Sequence, residues 1–110
     1  MTIDEAEFHA IADKTLDVLV TTLDLTLGDE LEVDMQGGIL TIELPGGGQY
    51  VVNKNTPLRQ IWLSSPTSGG WHFDWDADHR QWRTRHGDKA DLGNVLAAEL
   101  SAVTGKSLVL

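Results

Sequence analysis

The chain has 110 residues, of which 41% are hydrophobic and 23% charged, as in an ordinary soluble globular protein of one domain. It contains no cysteine, so disulfides, thiolate metal ligands and cysteine nucleophiles are excluded. No apolar run approaches the ~18 residues of a membrane span, and no P-loop, dinucleotide-binding glycine motif or nucleophile elbow occurs. We therefore predict a single domain over residues 1–110, in which any metal must bind to oxygen or imidazole.

The net charge of −9 is concentrated at the N-terminal end of the chain. Residues 1–34 carry ten acidic side chains and one basic side chain, whereas the remainder carries seven of each. A negative field of this kind repels nucleic acid and anionic lipid, and it attracts cations or basic protein surfaces. We therefore expect no nucleic-acid or membrane partner. A face that only keeps the protein soluble is the alternative interpretation.

The first predicted element is a long helix from Asp4 to Asp24. Apolar or semi-apolar side chains recur at intervals of three and four residues and predict one buried stripe, made of Phe8, Ile11, Ala12, Thr15, Leu19, Thr22 and Leu23. At ~100° per residue, the opposite face carries Glu5, His9, Asp13, Asp17 and Asp24. The helix is therefore predicted to present a row of carboxylates to solvent.

Alternation of apolar and acidic residues after the Gly28-Asp29 break predicts a half-buried strand. Its inward residues are Leu31, Val33 and Met35, and its outward residues are Glu30, Glu32 and Asp34. Glycine-rich turns then separate this strand from two more, at residues 39–44 and 49–53. Further strands are predicted at residues 60–64, 71–75 and 81–84, so the middle of the chain reads as an antiparallel meander.

A second helix is predicted after Asp91, which is a suitable N-cap, and before Gly105, which suits a left-handed C-terminal position. Its apolar stripe consists of Leu92, Val95, Leu96, Leu100 and Val103. Residues 107–110 would form an apolar tail over the core. The predicted fold is an α+β two-layer sandwich with two helices packed on one face of a five- to six-stranded antiparallel sheet, which leaves the other face open.

Residues 51–69, with the sequence VVNKNTPLRQIWLSSPTSG, resemble the signature stretch of frataxins. Residues 37–42, 71–75 and 96–100, and the Glu7-Phe8-His9 start of the first helix, extend the resemblance over nearly the whole chain. The resemblance implies the frataxin fold and weak binding of iron, Fe2+ or Fe3+, without an organic cofactor. It also implies action on the cysteine desulfurase and iron–sulfur scaffold proteins, contact with ferredoxin, and a monomer that forms oligomers with metal. We do not expect an enzyme, although the resemblance is compatible with weak ferroxidase activity.

The implied metal site is an acidic ridge on the first helix and first strand. We define this acidic ridge as Glu5, Glu7, His9, Asp13, Asp17, Asp24, Asp29, Glu30, Glu32 and Asp34. Carboxylates and one imidazole, without thiolates, suit iron, manganese and calcium. A surface row lacks an enclosed cage, so we expect weak, multiple and salt-sensitive binding.

A second candidate site lies on the open face of the predicted sheet. If Ile61 and Leu63 point to the core, Trp62 points outward, and an exposed tryptophan among amide side chains is typical of a protein interface. The predicted partner-binding residues are Asn53, Lys54, Gln60, Trp62, Ser64 and His72. At position 72 this chain has histidine, where eukaryotic frataxins tend to have arginine. The alternative is that Trp62 packs over its own sheet, as we expect for Trp75 and Trp82.

Three functions are consistent with these features. The first is an iron-binding regulatory or iron-chaperone protein of iron–sulfur cluster assembly. The second is an iron-storage or ferroxidase protein, which needs paired bridging carboxylates such as a Glu-x-x-His motif, and no such motif is present. The third is an acidic interaction adaptor without a metal role. The N-terminus lacks the pattern of a signal or transit peptide, so we expect the bacterial cytoplasm, or the mitochondrial matrix if a transit peptide has been removed.

Overall fold

The computed structural model describes residues 3–84 and 90–110. Residues 1–2 and 85–89 of the predicted domain, with His86, lie outside the described residues. Helix α1 spans Glu5–Leu27 and begins after Asp4, whose carboxylate accepts a hydrogen bond from the amide of Glu7 at 2.8 Å. Within the described residues, no helix is long and apolar enough to cross a membrane.

The buried stripe of α1 is rotated slightly from the predicted one. Its buried residues are Phe8, Ala12, Leu16, Leu19, Leu23 and Leu27. Leu16 was missing from the predicted stripe, and Ile11, Thr15 and Thr22, which were included, are only half-buried. Those three residues lie on one flank of the stripe, where Thr15 donates a hydrogen bond to the Ile11 carbonyl and accepts one from Trp82 Nε1.

The six strands form one antiparallel meander, in which each strand pairs with the next along the chain. Their bounds are β1 Glu32–Gln36, β2 Ile39–Glu43, β3 Gln49–Asn55, β4 Gln60–Ser65, β5 Gly69–Asp76 and β6 Gln81–Arg83. Helix α2 spans Leu92–Thr104, with Asp91 as its N-cap and Gly105 left-handed at φ 73°. These elements confirm the predicted α+β two-layer sandwich.

The core lies between the helices and one face of the sheet. The largest fully buried side chains of the sheet are Tyr50, Phe73, Leu40, Ile42, Ile61 and Leu63. Helix α2 contributes Leu92, Leu96 and Leu100, whereas Val103, which was predicted to belong to its stripe, is 44% exposed. Val103 lies in the last turn of α2. Leu108 and Leu110 of the tail pack against the core as predicted, but Val109 is exposed.

The strand register fixes which residues occupy the open face. Asn53 lies opposite Trp62, and Trp62 lies opposite His72, so the three form one row across β3, β4 and β5. Alternate residues point to the helices, where Trp82 is buried as expected and Trp75 is half-buried. The fold therefore places the α1 part of the acidic ridge away from the Trp62 row, whereas Glu32 and Asp34 of β1 share the open face of the sheet with that row.

Candidate functional site

Most of the acidic ridge is exposed, as the helical and strand periodicities predict. His9 and Glu30 are half-buried, and the eight other ridge residues are exposed. A surface depression of about 660 Å³ joins the end of α1 to β1, and Asp24, Glu32 and Asp34 line it. The depression brings together acids that are up to ten positions apart in the sequence, which gives this end of the ridge its high density of negative charge.

Glu43 also lines this depression, although sequence analysis did not assign it to the ridge. The register places Glu43 directly opposite Glu32 on the neighbouring strand. Like charges at opposed positions repel. A cation bound between these two carboxylates would therefore relieve a repulsion that exists in the folded state. The alternation of residues 39–43 could have identified Glu43, because it has the same parity as Ile39 and Thr41.

Three ridge acids are paired with basic side chains. Lys54 Nζ lies 2.6 Å from Asp13 Oδ1, Arg59 Nη2 lies 3.8 Å from Glu5 Oε1, and Lys106 Nζ lies 3.3 Å from Glu30 Oε1. The acids near the end of α1 and on β1 have no such ion pair recorded among the described residues. The ion pairs therefore weaken the negative field at the start of α1 and at Glu30, whereas Asp24, Glu32 and Asp34 have no ion pair among the described residues.

A preformed chelating site is absent from the described part of the chain. Within residues 3–84 and 90–110, no group of three or more His, Cys, Asp or Glu side chains is arranged to hold a metal ion. The donor set, carboxylates with one imidazole, suits hard and borderline cations. The ridge therefore fits iron as a weakly held and solvated ion, and it does not fit iron as a caged one.

Trp62 is central to the open face, and its ring is held in place by its neighbours. The ring stacks on His72 with a centroid distance of 4.1 Å and an interplanar angle of 15°. Its Nε1 donates to Gln60 Oε1 at 2.8 Å, and Gln60 Nε2 donates to Asp74 Oδ1 at 3.2 Å. Trp62 is consequently half-buried rather than fully exposed: part of its ring is covered by neighbours on its own sheet, and part remains open to solvent. A ring fixed in this way loses little conformational entropy when a partner covers it.

The other predicted partner-binding residues divide between the two sides of the sheet. Asn53 and Ser64 lie on the open face with Trp62. Lys54 does not, because it is opposite Ile61, which points to the core, and its ammonium reaches α1 instead. Lys54 was predicted together with the residues of the open face, and the register places it on the other side of the sheet.

Sequence analysis missed a cluster of hydrogen bonds around Glu99 of α2, which we call the Glu99 latch. Tyr50 Oη and Ser65 Oγ donate to Glu99 Oε1 at 3.0 and 2.6 Å. Ser68 Oγ donates to Glu99 Oε2 at 2.6 Å and accepts from Trp71 Nε1 at 2.8 Å. The Glu99 latch thus ties α2 to β3 and to the β4–β5 turn. These contacts join residues up to 49 positions apart, and no local pattern reveals them.

The hydrogen bonds of the Glu99 latch change the acidity of its members. Burial raises the pKa of Glu99, but hydrogen bonds from Ser65, Ser68 and Tyr50 outweigh it, so the pKa lies below its ordinary value. Burial, followed by the Glu99 carboxylate, raises the pKa of Tyr50 against an opposing hydrogen bond from Thr67. Glu99 is therefore an ionised acceptor at neutral pH, and Tyr50 is a neutral donor.

A separate carboxylate at the β5–β6 turn also has a low pKa. Burial raises the pKa of Asp76, but hydrogen bonds from His79 and Arg83 lower it to about 2. Asp76 Oδ2 lies 2.8 Å from His79 Nδ1 and 3.1 Å from Arg83 Nη1. These contacts stabilise the turn and hold the His79 side chain against the β5–β6 hairpin.

Comparison with known proteins identifies the class to which this sandwich belongs. A family model described as the frataxin-like domain matches residues 1–106. Frataxin from Psychromonas ingrahamii superposes with a TM-score of 0.84 over 97% of both chains at 20% identity, which supports the fold. A trimeric frataxin from the yeast Saccharomyces cerevisiae, complexed with ferrous, superposes with a TM-score of 0.76 at 31% identity, over 96% of this chain and 90% of that one. The fold is that of frataxin-like domains.

Sequence relatives support the same assignment. Mitochondrial frataxin of Arabidopsis thaliana is 38% identical, and the alignment covers 98% of this chain but 59% of that protein. The iron-sulfur cluster assembly protein CyaY of Pseudomonas fluorescens (strain SBW25) is 34% identical, with 98% of this chain and 96% of that protein covered. This chain belongs to the frataxin family. It spans less of its mitochondrial relatives than of this bacterial one.

Proposed function

We propose that this chain is a regulatory protein of iron–sulfur cluster assembly that binds iron weakly and acts on a cysteine desulfurase and scaffold complex. One observation carries the proposal: a single small domain presents an exposed acidic ridge whose β1 acids share an open sheet face with a fixed tryptophan. The ridge suits cations or a basic protein surface, and the tryptophan face suits a second protein. Relatives named for iron–sulfur cluster assembly support this assignment.

The two alternatives are less well supported. Storage or rapid oxidation of iron requires carboxylates fixed at bridging distance, and the described residues hold no such cluster. An adaptor without a metal role would bind iron and calcium alike and would not alter cluster formation. We place the protein in the bacterial cytoplasm, like its bacterial relatives, or in the mitochondrial matrix, since another relative is named mitochondrial frataxin, and we propose a monomer whose oligomers depend on metal.

The proposed interaction with partner proteins is tested by measuring binding of this chain to a purified bacterial desulfurase and scaffold pair. We expect capture at low ionic strength that weakens as salt rises, because exposed charges are screened beyond ~8 Å at physiological salt. Replacing Glu32 by Gln and Asp34 by Asn should weaken capture at low salt, whereas Asp78→Asn, at the far β5–β6 turn, should have little effect. Absence of capture at every salt concentration would contradict the proposed partner.

The proposed metal binding by the acidic ridge predicts that divalent cations stabilise the folded chain. Bound cations relieve the repulsion between Glu32 and Glu43, so a tenfold excess of ferrous or cobaltous ion over its dissociation constant should raise the free energy of unfolding by about 1.4 kcal/mol. Thermal unfolding at increasing metal concentration measures this effect, and sodium chloride should reproduce only part of it. If millimolar metal leaves the melting temperature unchanged, the ridge is too diffuse to bind.

A further inference from the structure

The positively charged side chain of Lys54 already occupies the start of the acidic ridge. The ammonium of Lys54 lies 2.6 Å from Asp13 Oδ1 and 3.1 Å from His9 Nδ1. The Lys54 side chain is 20% exposed, so the ammonium is held against α1. Its stem comes from the core side of β3, where the register places Lys54 opposite Ile61.

This contact uses the lone pair through which His9 would bind a metal. An ammonium has only donors, so Nδ1 of His9 must accept the Lys54 hydrogen bond. A neutral imidazole has one nitrogen with a free lone pair, and its other nitrogen carries the proton. His9 Nδ1 can therefore ligate a metal only if Lys54 withdraws, and a metal bound to the remaining lone pairs of Asp13 would face the like charge of the ammonium.

We propose that Lys54 is a built-in competitor cation that keeps metal ions away from His9 and Asp13 and directs them toward the β1 end of the ridge. At that end, Asp24, Glu32 and Asp34 line one depression and have no ion pair recorded among the described residues. This inference rests on the proposed metal binding of the ridge and assigns a position to it. Lys54 thus determines where on the ridge a metal binds, although it is not itself a ligand.

The test compares two charge-matched variants by cobaltous-ion titration, followed by amide NMR and calorimetry. Lys54→Met removes the competing ammonium and keeps the apolar stem. Lys14→Met removes one positive charge from α1, but Lys14 lines the groove beside Trp82 and makes no recorded contact with His9 or Asp13. Thermal unfolding without metal checks that both variants fold. If Lys54→Met does not fold, Lys54→Gln is used in its place.

In the unmodified chain, we expect the strongest perturbation around Asp24, Glu32 and Asp34. In Lys54→Met, the signals of His9 and Asp13 should respond most, and cobalt affinity should rise about threefold or more, the size of an exposed ion-pair contribution. Lys14→Met should change affinity by less than about twofold because a more distant charge is screened.

The possible outcomes distinguish the role of Lys54 from metal binding by the ridge, on which that role rests. Equal gains in affinity for both variants, or a strongest response at His9 in the unmodified chain, would overturn the role of Lys54 and leave metal binding intact. Binding by Lys54→Met alone would support the role of Lys54 and contradict metal binding by the natural ridge. If neither chain binds cobalt, the role of Lys54 is overturned as well.

Discussion

Replacing Trp62 by Ala is expected to weaken binding of the desulfurase and scaffold complex at least tenfold, a loss of about 1.4 kcal/mol or more. The ring is half-buried, stacked on His72 and bonded to Gln60, so its large surface is presented to a partner in a fixed orientation. Truncation removes that surface and also one stacked aromatic pair, which contributes about 0.5–1.5 kcal/mol beyond the buried area. We therefore expect the free energy of unfolding to fall by only about 1–2 kcal/mol.

Trp82→Ala is the control for this prediction because its ring is 4% exposed and lies between the sheet and α1. Loss of a buried tryptophan typically costs about 3–5 kcal/mol, so this variant should be the less stable of the two. Stability is measured by denaturant unfolding, and affinity by calorimetry on variants that remain folded. A Trp62→Ala variant that unfolds, or that binds with unchanged affinity, would exclude the tryptophan-face mechanism and leave the fold intact.

Replacing Glu99 by Ala is expected to lower the free energy of unfolding by about 2–4 kcal/mol, because it removes the acceptor for three hydroxyl donors. Tyr50 and Ser65 are the most affected donors, since they are 0% and 7% exposed and have little access to water. The β4–β5 turn, which the Glu99 latch holds against α2, should lose hydrogen-exchange protection at the amides of Thr67 and Ser68, both bonded to Ser65 Oγ.

The contribution of Glu99 should also depend on pH. Since the pKa of Glu99 is lower in the folded chain than in the unfolded one, its stabilising effect is complete above the ordinary glutamate pKa, about 4.3. The effect is lost as the pH falls through the lowered folded-state pKa. The stability difference between the natural chain and Glu99→Gln should therefore shrink below about pH 4. Asp76 is present in both chains, so its own low pKa cancels from that difference.

Tyr50→Phe tests the same dependence from the donor side, because it removes one hydroxyl donor to Glu99 and no group that titrates near pH 4. Since the Tyr50 hydrogen bond helps to lower the pKa of Glu99, the cost of Tyr50→Phe, about 1 kcal/mol at neutral pH, should also decrease below about pH 4. If the costs of Tyr50→Phe and Glu99→Gln both stay constant through this pH range, the Glu99 latch does not depend on the ionised carboxylate.

Elements with a strong period were predictable from sequence, and contacts between distant elements were not. The exposed acids of α1 follow from a 3.6-residue period, and Trp62 on the open face follows from a period of two. The inclusion of Lys54 among the residues of the open face did not take this period into account, because alternation in a strand places Lys54 and Asn53 on opposite faces.

Glu99 was missed for a different physical reason. It occupies a half-buried position of a helix whose apolar stripe is well defined, and a carboxylate there reads as an ordinary surface residue. Its donors come from β3, β4 and the β4–β5 turn, so only the packed fold brings them together. Leu16 was omitted from the predicted stripe because the sequence does not reveal exactly how α1 is rotated on the sheet.

The acids of β1 have a further consequence for self-association. In the described chain β1 is an outer strand with a neighbour on one side only, so its other edge exposes unpaired amide and carbonyl groups. A second copy pairing antiparallel along this edge would bring Glu32 and Asp34 close to their own counterparts, and like charges across paired strands are unfavourable. The acids that attract cations therefore also protect this edge from aggregation, and cations that neutralise them would weaken that protection.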